Sequence, residues 1–76
     1  MEGQDFVVWC RENGTSITTH HFNGIDWKAV EMQDGWIALF TYWNGWYQPK
    51  IQARDMGHAI SYMKMHECVP VPIKQI

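Results

Sequence analysis

The sequence is poor in the features that mark several large classes of protein. Charge is scarce: Asp, Glu, Lys and Arg make up 18% of the 76 residues, and six cations against eight acids leave a formal charge of −2. Without a basic excess there is no broad surface to neutralise many phosphates, which excludes histone-like and polybasic roles. Long apolar runs are missing too. No segment approaches the stretch of about eighteen apolar residues that reads as a membrane span, and the opening Met1-Glu2-Gly3-Gln4-Asp5 is acidic where a secretory signal is basic and then apolar. The expectation is a cytoplasmic protein. Cysteine is limited to Cys10 and Cys68, too few and too far apart for a disulfide-stapled fold, so both are read as reduced thiols. Asn13-Gly14-Thr15 fits the glycosylation acceptor pattern, but turn chemistry accounts for it better.

Catalytic and metal-binding signatures are equally sparse. There is no Gly-x-Ser-x-Gly elbow, phosphate-cradling glycine loop, His-Glu-x-x-His or Cys-x-x-Cys. His20 and His21 are neighbours in an extended run, so their rings point to opposite faces and do not grip one ion together. His58 and His66 lie about two helical turns apart. His66 and Cys68 are close, but two ligands do not complete a tetrahedral set. A two-residue turn at Asn23-Gly24 sets Asp26 opposite His21, a pairing that is far more often a cross-strand charge contact than a catalytic dyad. So small a chain also has little material to enclose a pocket in addition to a core. The expectation is no enzyme, no metal and no cofactor.

What the chain does have is apolar and aromatic material, 46% hydrophobic with five Trp, which requires a globular fold rather than a disordered tail or coiled coil. Folding buries only about 60% of the unfolded surface at this size, so one domain shares one thin core. Four Asx-Gly dipeptides recur at near-constant spacing: Asn13-Gly14, Asn23-Gly24, Asp34-Gly35 and Asn44-Gly45. Both residue types tolerate the positive φ of tight hairpin turns. Between them lie runs rich in β-branched and aromatic residues at 6–11, 16–22, 25–32, 36–43 and 46–53. Five strands in a meander are predicted. The third run fits a strand better than a short helix, whose spacing Trp27, Val30 and Glu31 also satisfy.

The period then changes. Met56, Ala59, Ile60 and Met63 form the i, i+3, i+4, i+7 stripe of an amphipathic helix of about three turns, with Asp55 placed to cap it. Gly57 in its first turn costs up to about 1 kcal/mol relative to Ala, so this helix depends on docking against the sheet. The last segment, Val69-Pro70-Val71-Pro72-Ile73, places two prolines to one side of an extended strand, which suits a sheet edge. The predicted fold is therefore a small α+β domain: a five-stranded antiparallel meander, one helix across one face, and an extended C-terminal edge.

Alternation assigns the faces. The fourth run carries Trp36, Ala38, Phe40 and Tyr42 on one side and Ile37, Leu39, Thr41 and Trp43 on the other, so it is apolar on both and belongs in the centre. The Asn44-Gly45 turn sets Tyr42 opposite Tyr47 and Trp43 opposite Trp46. Phe40, Tyr42, Tyr47 and Ile51 then form the expected seat of the helix. Trp43, Trp46, Gln48, Lys50 and Gln52 share the other, half-exposed face. On the first hairpin, Cys10 would face Ile17 and Val8 would face Thr19, gathering Phe6, Val8, Cys10, Ile17 and His21, with Cys10 a small core residue.

Six of the eleven aromatic residues fall between Trp36 and Tyr47. A Trp–Trp cross-strand pair can serve only to stabilise its hairpin, by roughly 0.5–1.5 kcal/mol. The same indoles, half exposed on a rigid turn, resemble the anchors of protein interfaces. The expected function is non-catalytic protein binding, adaptor- or inhibitor-like, of the kind phages and mobile elements encode, through Trp43, Trp46, Tyr47, Gln48 and Lys50. The alternatives are stacking on single-stranded nucleic acid, less favoured at a charge of −2, and self-association, for example a homodimer through a sheet edge.

Overall fold

A computed structural model describes residues 1–22 and 24–67 of the chain, the side chains of 66 and 67 excepted. The elements are α1 (Gly3–Asn13), β1 (Gly14–Phe22), β2 (Ile25–Met32), β3 (Ile37–Trp43), β4 (Trp46–Ala53) and α2 (Met56–Glu67). The strands form one antiparallel sheet in sequence order. The molecule is a small α+β domain built on a meander, with four strands and two helices among the described residues in place of the expected five and one. The segment at 69–73, expected at a sheet edge, lies outside the described residues.

The first predicted strand, 6–11, is the middle of α1. Phe6, Trp9, Cys10 and Asn13 stand at helical spacing; Phe6 and Cys10 are buried, Trp9 is half-buried, and the Asn13 side chain donates back to the Trp9 carbonyl at 3.0 Å. The expected grouping with Ile17 and His21 is lost, because Val8 now points away from the sheet and Val8, Ile17 and His21 are all exposed. Asn13-Gly14 is correspondingly a helix-to-strand junction and not a hairpin turn. Gly14 is extended, with φ −103°, and its N–H bonds the Cys10 carbonyl. Glycine is needed there for space: a Cβ would stand 2.6 Å from Val30 Cγ1 and 3.1 Å from the Cys10 carbonyl oxygen.

The glycines of the other three Asx-Gly pairs lie in turns, with positive φ at Gly24, Gly35 and Gly45, and Asn44 shares it. Phe22 pairs with Ile25, and Trp43 with Trp46, around two-residue turns. The turn at Asp34-Gly35 is one residue longer: Gly35 N–H bonds the Met32 carbonyl at 3.0 Å, Met32 N–H bonds the Trp36 carbonyl at 2.7 Å, and Asp34 Oδ1 accepts the Trp36 N–H at 3.0 Å. Trp36 thereby belongs to the turn, just before β3, and is exposed.

The cross-strand register separates two apolar clusters. Val30, Ala38 and Phe40 pack with Phe6 and Cys10 of α1. Trp27, Ala29, Ile37, Leu39 and Ala53 pack with Ala59 and Met63 of α2. Successive residues of β3 serve opposite clusters, so the helices cover opposite faces of the sheet. This corrects the expected seat of the C-terminal helix. The Phe40 and Tyr47 face is taken by α1, and α2 lies on the face of Ile37 and Leu39.

Ile51 also changes sides. Phe40 pairs with Pro49 but Ala38 pairs with Gln52, so β4 spends one extra residue opposite Leu39. That bulge turns Ile51 to the α2 cluster, and Gln52 to the side of Ala38. Pro49, which has no N–H to give to a ladder, sits beside the bulge on the outermost strand of the meander. The cap on α2 is as expected: Asp55 Oδ1 accepts the His58 N–H at 2.8 Å.

Two glycine substitutions separate these causes. Gly14→Ala forces a methyl into Val30 and should destabilise by about 1–3 kcal/mol. At Gly57 a Cβ meets Asp55 Oδ1 at 3.4 Å, ordinary contact, so Gly57→Ala should stabilise by up to about 1 kcal/mol through helix propensity. Urea unfolding of both variants reads the two signs directly.

Candidate functional site

The hairpin of β3 and β4 closes through Asn44, at φ 55°, and Gly45, at φ 82°. Such a turn follows the right-handed twist of the strands and fixes the residues on either side of it. Trp43 and Trp46 are the pair next to the turn, as expected, and both indoles lie open, with 80% and 53% of their surface exposed. They stand on the α2 side of the sheet, beyond the reach of the helix. Gln48, two residues along from Trp46, is exposed on the same side.

Tyr47 and Lys50 are placed differently. The Tyr47 ring faces α1 and stacks on Phe6, with centroids 3.8 Å apart and planes 4° from parallel, and Tyr42 leans on it at 4.7 Å. Tyr47 therefore belongs to the α1 packing. Lys50 is half-buried at the bulge and borders, with Trp9, Pro49 and Gln52, a depression of about 200 Å³ on the α1 side. The open surface at the turn is carried by Trp43, Trp46 and Gln48.

The backbone of this hairpin is held from outside. Met1 nitrogen donates to the Tyr47 carbonyl at 2.6 Å, Tyr47 N–H donates to the Met1 carbonyl at 2.6 Å, and Glu2 pairs with Trp46. The outer edge of β4 is thus partly covered near the turn. Sequence reasoning gave no role to Met1 and Glu2, because one bridge pair leaves no periodic pattern to read.

On the other face, α1 is narrower than the sheet and leaves an open groove of about 540 Å³ beside β1, bordered by Phe6, Val7, Arg11, Ile17 and Lys28. Assigning 6–11 to a strand hid this groove. The available signal was the helical spacing of Phe6, Trp9, Cys10 and Asn13. Further along the same face His21 Nδ1 and Asp26 Oδ1 meet at 2.7 Å, the cross-strand contact expected from their register. The pair is exposed, which puts its contribution at about 0–1 kcal/mol. Lys28 Nζ donates to Thr19 Oγ1 at 2.8 Å.

Among the described residues no three His, Cys, Asp or Glu side chains gather to hold a metal ion, and no helix is long and apolar enough to cross a membrane. Cys10 is buried, as expected, and burial pushes its thiol up from the ordinary range. The Tyr47 hydroxyl is also raised, first by burial, then by Tyr42 and Cys10. Comparison with family models, curated proteins and solved structures gives no match.

The raised thiol and phenol set two outcomes. In a Cys68→Ser chain, Cys10 should react with iodoacetamide far more slowly in the folded state than in denaturant. Both acids favour their neutral forms in the folded state. The stability they contribute is intact below their unfolded values, about 8.5 for Cys and 10 for Tyr, and is lost as pH rises through the folded ones. Urea titrations from pH 8 upward should show stability falling, and Tyr47→Phe, which keeps the ring on Phe6, should flatten that fall.

Proposed function

We propose that this chain is a non-catalytic protein-binding module, adaptor- or inhibitor-like, that inserts the indoles of Trp43 and Trp46 into a partner. The exposure of both rings on one rigid turn supports this reading above all else. A Trp side chain offers a large contact area with only two rotatable bonds to order on binding, and Trp is enriched among the residues that dominate interface energy. The two indoles and Gln48 form the contact surface, with the Gln48 amide available for a hydrogen bond at its rim.

The chemistry of the remaining groups is consistent with a role that does not involve catalysis. The buried Cys10 thiol is shifted away from the reactive thiolate, and the exposed His21–Asp26 contact joins two side chains with no nucleophile bonded to either among the described residues. Protein contact suits the −2 charge better than stacking on unpaired bases, which an electrostatic groove normally accompanies.

Single Trp43→Ala and Trp46→Ala variants should each change unfolding free energy by less than about 1.5 kcal/mol, because neither ring is buried. Trp27→Ala, which empties a fully buried site, should cost about 3–5 kcal/mol. Partners cross-linked to the parent chain in a cell extract and identified by mass spectrometry should be lost from both hairpin variants. Retention of the same partners by the Trp43→Ala, Trp46→Ala double variant would refute the proposal. Quenching of tryptophan fluorescence by short single-stranded oligonucleotides at low salt, relieved as salt rises, would favour the nucleic-acid reading instead.

A further inference from the structure

The two outer strands of the sheet are treated unequally. The outer edge of β4 carries Met1 and Glu2, joined to it through two backbone hydrogen bonds at Tyr47. The outer edge of β1 has no strand beside it among the described residues. β1 runs for nine residues, Gly-Thr-Ser-Ile-Thr-Thr-His-His-Phe, without Lys, Pro or any carboxylate. Lysines, prolines and inward charges are the usual means of blunting an edge against further pairing. β1 has none, and its only irregularity is the shift between Gly14 and Ser16.

The groove beside this edge has a defined chemistry. Its apolar lining includes Val7 and Ile17, 52% and 48% exposed, with Phe6 behind them. Two cations border it: Arg11, in the last turn of α1 next to the start of β1, and Lys28, opposite Thr19. Among the described residues no carboxylate lines it. Asp26, on the same face, is held by His21.

We propose that β1 and this groove form a strand-addition site for an extended peptide segment carrying an apolar and an acidic side chain two residues apart. The segment pairs its backbone with the outer edge of β1. Alternate side chains then fall on the α1 side, the apolar one against Val7 and Ile17, the carboxylate beside Arg11 or Lys28. A second copy pairing β1 against β1 does not supply that charge, because β1 has no carboxylate to set against the two cations. The proposal does not depend on the hairpin reading, since Trp43 and Trp46 stand on the other face.

The test uses the full, isotope-labelled chain and a synthetic probe, acetyl-Thr-Val-Thr-Glu-Thr-Val-Thr-amide. Addition of the probe should shift the β1 and Val7 signals and slow hydrogen exchange at β1 amides not bonded to β2. Replacing Glu by Lys in the probe should weaken binding about tenfold. Methylating the peptide nitrogens that face β1 should abolish it, since strand addition depends on those donors. Arg11→Glu or Lys28→Glu, whichever cation faces the carboxylate, should remove or reverse the preference between the two probes, whereas Trp43→Ala should leave it unchanged; a preference that survives the double Arg11→Glu, Lys28→Glu variant overturns the proposal. Equal binding by the N-methylated probe, or no binding by the parent probe, overturns the proposal. So does a chain whose β1 amides are already protected without probe, whether by a second copy, seen as a dimer in light scattering, or by another part of the same molecule.

Discussion

The constraint on which the rest of the structure depends is that β3 is apolar on both sides. Ile37 and Leu39 point one way, Ala38 and Phe40 the other, and all four are buried. A strand of this kind is stable only if both faces of the sheet are covered, and at this size neither face can be covered by a second sheet. Two helices meet the requirement at least cost in residues. α1 brings Phe6 and Cys10 to one face and α2 brings Ala59 and Met63 to the other. The small residues Ala29, Ala53 and Ala59 are buried as well, which lets α2 and the sheet approach closely around Trp27 and Leu39.

The surfaces left open follow from the same arrangement. Each helix is narrower than the sheet it covers, so each leaves part of its face exposed. On the α2 side the uncovered part is the β3–β4 corner with its two indoles; on the α1 side it is the groove along β1. Gly14 links the two sides of the problem. It lets the chain pass from the end of α1 directly into β1 with Val30 pressed against it, and this places Arg11 and Val7 over the strand they border.

Much of this was legible in the sequence. The strands at 25–32 and 46–53 were read with the bounds they have, the C-terminal helix was read from Met56 with its Asp55 cap, and three of the four Asx-Gly turns carry the expected positive φ. The cross-strand pairs Tyr42 with Tyr47 and Trp43 with Trp46 follow from the two-residue turn alone. The misread elements share a physical origin. Asn-Gly is also compatible with a helix end, and glycine at a close approach looks the same in sequence as glycine at positive φ, so Asn13-Gly14 reads as a hairpin turn. Phe6, Trp9 and Cys10 fit a strand by residue type and a helix by spacing, and the apparent ten-residue repeat favoured the strand. At the candidate site, Trp43, Trp46 and Gln48 were placed correctly on the open side. Alternation also puts Tyr47 on the covered side with Phe40, where it lies; that α1 supplies the cover was not legible, because Phe6, its stacking partner, fits a strand by residue type.

By itself, then, the sequence determined the local geometry: where the chain turns, which residues oppose one another across a turn, and that the central strand needs cover on both sides. These depend on φ preferences and side-chain period, which act within about ten residues. Which helix covers which face, the bulge that turns Ile51 toward α2, and the pairing of Met1 and Glu2 with β4 were decided by the tertiary structure. Each depends on contacts between residues distant in sequence, where the apolar area a face can bury outweighs the preference of any single segment.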